Sequence, residues 1–245
     1  MTIKLTRIIM GMPITIEAVG TNDPEPLEAV FNYFREVDLR FSPYKEDSEL
    51  SLVNKGLKPK DWSGDMKLVM QLCEETRQVS GGYFNINRDG YIDPSGLVKG
   101  WAIDNAIKLL KTRGLSDFYI EAGGDIQAEG LNENREPWAV GIRNPFNIHE
   151  IVKVIKVSGL GVATSGPYIR GDHIYNPVNN YETPRGVVSL TVVGPNIFEA
   201  DRFATAAFAM GKGGVNFISA LPRFEVYQIE VGGKAVFSPG IEALC

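Results

Sequence analysis

The chain has 245 residues, 44% hydrophobic and 22% charged, with a net charge of −5. That length can bury a sizeable core, the acidic balance argues against a nucleic-acid partner, which would favour a basic face, and no run of about 18 apolar residues offers a membrane span. Two cysteines, Cys73 and Cys245, rule out a disulfide framework, and two histidines, His149 and His173, rule out a histidine-rich metal site.

The opening residues, MTIKLTRIIMGMPITIEAVG, lack the apolar core and small-residue cleavage site of a secretory signal. With no early lipidated cysteine, the expected location is the cytoplasm, or outside it if a leader has been trimmed. Ile3 to Val19 alternate loosely and predict a strand or hairpin, interrupted at Met10-Gly11-Met12-Pro13. Asp23-Pro24-Glu25-Pro26 starts a helix whose stripe is Leu27, Val30, Phe31, Phe34, Val37 and Phe41. Ser42-Pro43-Tyr44 ends it. A short helix follows over 47–54, capped by Asp47 or Ser48. A third runs from Asp65 to Ser80 on Met66, Val69, Met70, Leu72, Cys73 and Val79, and stops at Gly81-Gly82.

Tyr83 to Asn87 reads as a short loop or strand. The stretch after it, DPSGLVKGWAIDNAIKLLKTRGLSDFYIEAGGDI, organises the chain. Pro94 suits a helix start and Gly114 a helix stop. Lys99 lies in the first turn, where free N–H groups and a cation suit an anion. Phe118-Tyr119-Ile120 is a buried-type strand, and Gly123-Gly124 lets backbone approach a ligand closely.

Gln127 to Asn134 predicts a strand and turn, Trp138 to Ile142 a strand, Asn144-Pro145-Phe146 a break, and Ile151 to Val157 a half-buried strand. Gly161 to Gly166 reads as a small-residue segment before a polar loop holding Arg170, Asp172 and His173. Val187 to Val193 is a strand, Ile197 to Met210 a helix, and 224–231 with 234–237 a hairpin about Gly232-Gly233. No linker divides the chain, so one domain over 1–245 is expected. Strands mixed with helices without strict alternation indicate an α+β fold.

Asp201 and Thr205 stand at i and i+4, on one helical face. A carboxylate and a hydroxyl are two hard oxygen ligands of the kind magnesium accepts. His173 could position or deprotonate a hydroxyl. Thr164-Ser165-Gly166 could contact a phosphate or a ring, Met10 and Tyr44 could cover one, and Lys99 could neutralise a phosphate. The bland readings stand beside these: a hydroxyl bonded to its own helix, a solvated carboxylate, a surface histidine and lysine, an ordinary turn, a core methionine and tyrosine. His149 reads as structural or surface.

The order of the segments adds to this. Met-Gly near the start, FSPYKEDSELSLVN, SGGYFNIN, DPSGLVKGWAID, AGGDI, GVATSG, HIYNP and EADRFATAAF together resemble the ApbE-like flavin transferases, FAD:protein FMN transferases once described as thiamine-biosynthesis lipoproteins. The resemblance runs from about Met10 to Gly211. It implies a single T-fold-related domain with mixed or antiparallel sheets packed by helices and the cofactor in a central cleft. It implies binding of FAD and magnesium, cleavage of the FAD pyrophosphate, and attachment of FMN to a threonine or serine of a partner protein with release of AMP.

By the same resemblance, Asp201, Thr205 and the Gly96 carbonyl match metal ligands. Met10, Tyr44, Tyr83, Phe84, Asn85, Asp93, Lys99 and Tyr175 match FAD contacts, and the Gly123, Gly124, Asp125 loop matches the one that supports the nucleotide, while Thr164 and Ser165 remain cofactor candidates on their own residue types. His173 matches the histidine that positions or activates the acceptor hydroxyl. Two positions depart from the family pattern: Asn85 and Asn176 stand where aspartate is usual. Hydrolysis of FAD to FMN and AMP, or FAD binding without catalysis, are the alternative readings.

Overall fold

A computed structural model describes residues 1–167, 174–179, 182 and 184–245. Its frame is an eight-stranded sheet in which every neighbouring pair is antiparallel, in the order β1 (Thr2–Ile9), β2 (Met12–Val19), β5 (Phe118–Ala122), β6 (Asp125–Glu129), β9 (Leu160–Ser165), β10 (Val187–Gly194), β11 (Glu225–Glu230) and β12 (Ala235–Phe237). The architecture is α+β, as the sequence indicates, and the expectation of mixed or antiparallel sheets resolves to antiparallel pairing.

Helices cover one face: α1 (Glu25–Phe41), α2 (Glu49–Asn54), α3 (Gly64–Val79), α4 (Ser95–Thr112) and α5 (Ile197–Ala209), with the short α6 (Gly214–Ser219) beside them. The opposite face carries a separate hairpin, β7 (Trp138–Asn144) with β8 (Asn147–Val157), and the C-terminal turn α7 (Gly240–Ala243). Strand alternation sorts the two cores. On β9, Ala163 joins the helical core and Val162 the other; on β11, Val226 and Tyr227 divide in the same way.

The predicted stripe of α1 is buried throughout, from Leu27 to Phe41. Ser48 caps α2 by accepting from the Ser51 N–H at 3.0 Å. In α3 the stripe is narrower than expected: Val79 is 54% exposed, while Thr76 is buried and accepts from Arg202 through its Oγ1 at 3.1 Å.

Three sequence expectations change. The segment 161–166 is not a run-in to a loop but lies mostly in β9, a strand inside the sheet, since small residues let α5 cross directly over it. A Cβ on Gly161 would lie 2.2 Å from the Ile197 nitrogen. The strand expected from Gln127 begins at Asp125 and ends at Glu129. The half-buried strand expected from Ile151 begins at Asn147, and most of its first eight residues are exposed on both faces. Sequence reading also missed the small hairpin of β3 (Asn87–Arg88) and β4 (Tyr91–Ile92). No described helix is long and apolar enough to cross a membrane.

Candidate functional site

The site is built where the N-terminal turn of α4 meets α5. Asp93 opens the helix, its Oδ1 accepting from the Ser95 N–H at 3.0 Å, while its own N–H donates to the Ile86 carbonyl at 2.8 Å. Helix α5 is fixed at its own start. Asn196 caps it by accepting from the Glu199 N–H at 2.9 Å, and the Ile197 N–H donates to the buried Gln127 Oε1 at 2.8 Å. Two glycines let the helices touch. A Cβ on Gly100 would lie 2.7 Å from the Asp201 Cβ, and one on Gly96 would lie 3.1 Å from the Thr205 Cγ2.

That contact sets side chains of α5 against the backbone of α4 at two successive turns. The Thr205 hydroxyl donates to the Gly96 carbonyl at 3.3 Å, and one turn back along α5 the Asp201 Oδ2 accepts from the Gly100 N–H at 2.7 Å. Asp201 is 3% exposed. Burial pushes its carboxyl up to about 7, with the Lys99 ammonium pulling down and Asp125 adding to the rise. The Lys99 Nζ lies 2.5 Å from Asp125 Oδ2 and 3.6 Å from Asp201 Oδ1. The closer contact is an ion pair without the direction of a hydrogen bond.

Asp125 follows the predicted double glycine. Gly123 and Gly124 have φ of +57° and +96°, the left-handed pair of a two-residue hairpin joining β5 and β6. Asp125 Oδ1 accepts from the Thr164 N–H at 3.1 Å, and the Thr164 and Thr191 hydroxyls meet at 2.8 Å. Residues more than seventy positions apart in sequence thus share one chain of contacts: Thr164, Asp125, Lys99, Asp201.

Two cavities flank this chain. The smaller, of about 240 Å³, is lined by Tyr83, Phe84, Asn85, Asp93, Gly96, Tyr175 and Thr205 among others. The larger, of about 880 Å³, lies between the β7–β8 hairpin and the β2 and β5 ends, with Gly123, Gly124 and Thr164 in its wall. Most of the sequence-nominated residues therefore converge. Met10 sits at the β1–β2 turn with φ +56°, and its neighbours Gly11 and Met12, not Met10 itself, line the larger cavity. Ser165 is buried and lines neither cavity; Tyr44 lines neither and is 93% exposed. His173, with Arg170 and Asp172, lies outside the described residues.

The two aspartate-to-asparagine departures keep an acceptor oxygen and lose a charge. Asn85 Oδ1 accepts from the Asn87 N–H at 2.9 Å, and Asn176 Oδ1 accepts from Val178 and Asn179 at 2.9 and 3.0 Å. The Asn85 carbonyl accepts from the Tyr175 hydroxyl at 3.1 Å, closing the smaller cavity.

Arg88 and Tyr91, missed in the sequence, also line that cavity; the Arg88 guanidinium lies 5.1 Å from the Tyr175 ring centroid. Asp89-Gly90, with φ of +54° and +83°, is the turn dipeptide that could have revealed their hairpin. Asn54 pins it, bonding both the N–H and the carbonyl of Ile92 at 2.8 and 2.9 Å.

Among the described residues no three His, Cys, Asp or Glu side chains gather to hold a metal ion. A carboxylate, a hydroxyl and a carbonyl are nonetheless the hard donors that magnesium takes, with waters and phosphate completing its shell. The donor set fits such an ion. Fold and site together define an α+β protein in which a helix–helix contact sets hard oxygen donors beside a buried lysine–aspartate cluster, flanked by aromatic and glycine-walled cavities.

The chain belongs to the ApbE family, whose model matches residues 10–90 and 86–228. It is similar to the FAD:protein FMN transferase of Vibrio cholerae serotype O1, 31% identical over 131 residues, 50% of this chain and 39% of that protein. It is also similar to the FAD:protein FMN transferase of Escherichia coli K12, 29% identical over 156 residues, 60% of this chain and 44% of that protein. The matched stretch spans about two-fifths of the length of these curated relatives. A solved flavin transferase ApbE from Vibrio cholerae shares the fold, with a TM-score of 0.87 and 22% identity over 100% of this chain and 99% of that one.

Proposed function

We propose that this protein transfers FMN from FAD to a threonine or serine hydroxyl of an acceptor protein, releasing AMP, with magnesium. The observation that carries the reading is that Thr205 contacts the Gly96 carbonyl while Asp201, one turn away, contacts Gly100 and Lys99 where α4 begins. Family membership supports it, as do the names of the similar proteins.

Asp201, Thr205 and the Gly96 carbonyl would hold the magnesium ion, which supplies charge neutralisation to the pyrophosphate. The positive end of the α4 dipole and the Lys99 ammonium would give the phosphates a second source of positive potential. Tyr83, Phe84 and Tyr175 offer ring faces in the smaller cavity. Gly123 and Gly124 leave backbone open to close approach in the larger. The acceptor hydroxyl oxygen bonds to the FMN phosphorus, the bond from that phosphorus to the bridging oxygen breaks, and AMP leaves with that oxygen. The hydroxyl proton goes to a base, a role assigned to His173 by the family resemblance.

The test is incubation with FAD and magnesium, with and without a candidate acceptor, read by mass spectrometry of protein and nucleotides. Protein heavier by FMN together with AMP is the expected result. Free FMN with AMP would instead make the protein a pyrophosphatase, and intact FAD throughout would reduce it to a binding protein.

A further inference from the structure

We propose that Lys99 is a resident cation that occupies the Asp201 carboxylate in the metal-free protein and competes with the divalent ion for it. The inference rests on the reading of Asp201 as a metal ligand. Both Asp201 oxygens already have partners. Oδ2 accepts from the Gly100 N–H at 2.7 Å, and Oδ1 faces the Lys99 ammonium at 3.6 Å.

The cluster is almost closed to water. The side chains of Lys99, Asp125 and Asp201 are 13%, 1% and 4% exposed. Asp125 holds the ammonium at 2.5 Å, so the lysine is tethered next to Asp201 rather than free to swing into solvent. Two carboxylates and one ammonium carry one net negative charge when ionised. Removing the ammonium leaves two buried carboxyl groups with no internal cation, and a divalent ion that displaces any proton they share meets the stronger field. Retaining it places a positive charge beside the incoming ion, and in a poorly solvated interior that repulsion outweighs a tenfold change in affinity. Lys99 thus holds Asp201 in place when no metal is bound and weakens the site for metal alone.

The test is direct binding of manganese, standing in for magnesium, by the full chain at pH 8 without nucleotide, with free manganese read by electron paramagnetic resonance. Lys99→Met should bind manganese roughly tenfold tighter than the parent, or more. Should Lys99→Met fail to fold by circular dichroism, Lys99→Gln replaces it, since its amide removes the charge but keeps a polar group facing the buried carboxylates. Asp201→Asn should lose saturable binding. Equal or weaker binding by the folded lysine variant, with binding lost in Asp201→Asn, would overturn the competition and leave the metal reading standing. Saturable binding retained in Asp201→Asn would overturn both.

Discussion

The Gly100 N–H donates to the Asp201 carboxylate at 2.7 Å, across 101 positions of sequence, and the helices touch so closely there that any side chain at 100 would crowd Asp201. Gly100→Ala would put a methyl 2.7 Å from the Asp201 Cβ and 2.9 Å from the Ile197 carbonyl oxygen. Overpacking of this kind costs about 1–3 kcal/mol. The expected outcome is a loss of that size in urea unfolding, with metal affinity falling as α5 is pushed from α4.

Asp201 also sets a pH dependence. Its folded carboxyl titrates at about 7, above the ordinary value of 3.8, chiefly because it is buried. The folded state therefore holds a proton that the unfolded state has lost between these values, and stability from this group falls as pH rises through that window. In metal-free buffer, the unfolding free energy of the parent relative to Asp201→Asn should fall by about 2–4 kcal/mol between pH 4 and pH 7.5. A rising or flat difference would contradict the assignment.

Thr205→Val keeps the shape of the side chain and removes the hydroxyl that donates to Gly96 at 3.3 Å. Its stability should stay within about 1.5 kcal/mol of the parent, the size of one ordinary hydrogen bond. The magnesium concentration giving half-maximal release of AMP from FAD should rise by an order of magnitude, since one protein oxygen is lost from the proposed shell. Unchanged magnesium dependence would remove Thr205 from it.

The two thiols should separate cleanly. Cys73 is 2% exposed and burial pushes its thiol up to about 12, whereas Cys245 is exposed. A thiol reagent at pH 8 should label one cysteine in the native protein and both after unfolding. Fast native labelling of Cys73 would show that α3 opens readily.

The period of apolar residues, the glycine stops and the turn dipeptides are local signals, and they carried most of the element boundaries: the α1 stripe, the Ser48 cap and the Gly123-Gly124 turn stand where the sequence puts them. The i and i+4 spacing likewise placed Asp201 and Thr205 on one face before any coordinates. Only the tertiary structure showed that this face meets the Gly96 and Gly100 backbone, that Lys99 pairs with both Asp125 and Asp201, and that small residues at 161–165 form a central strand. Helix and turn formation depend on neighbours a few positions away. The charge and burial of Asp201 depend on partners brought from 76 and 101 positions off, and no local pattern encodes which groups will exclude water together.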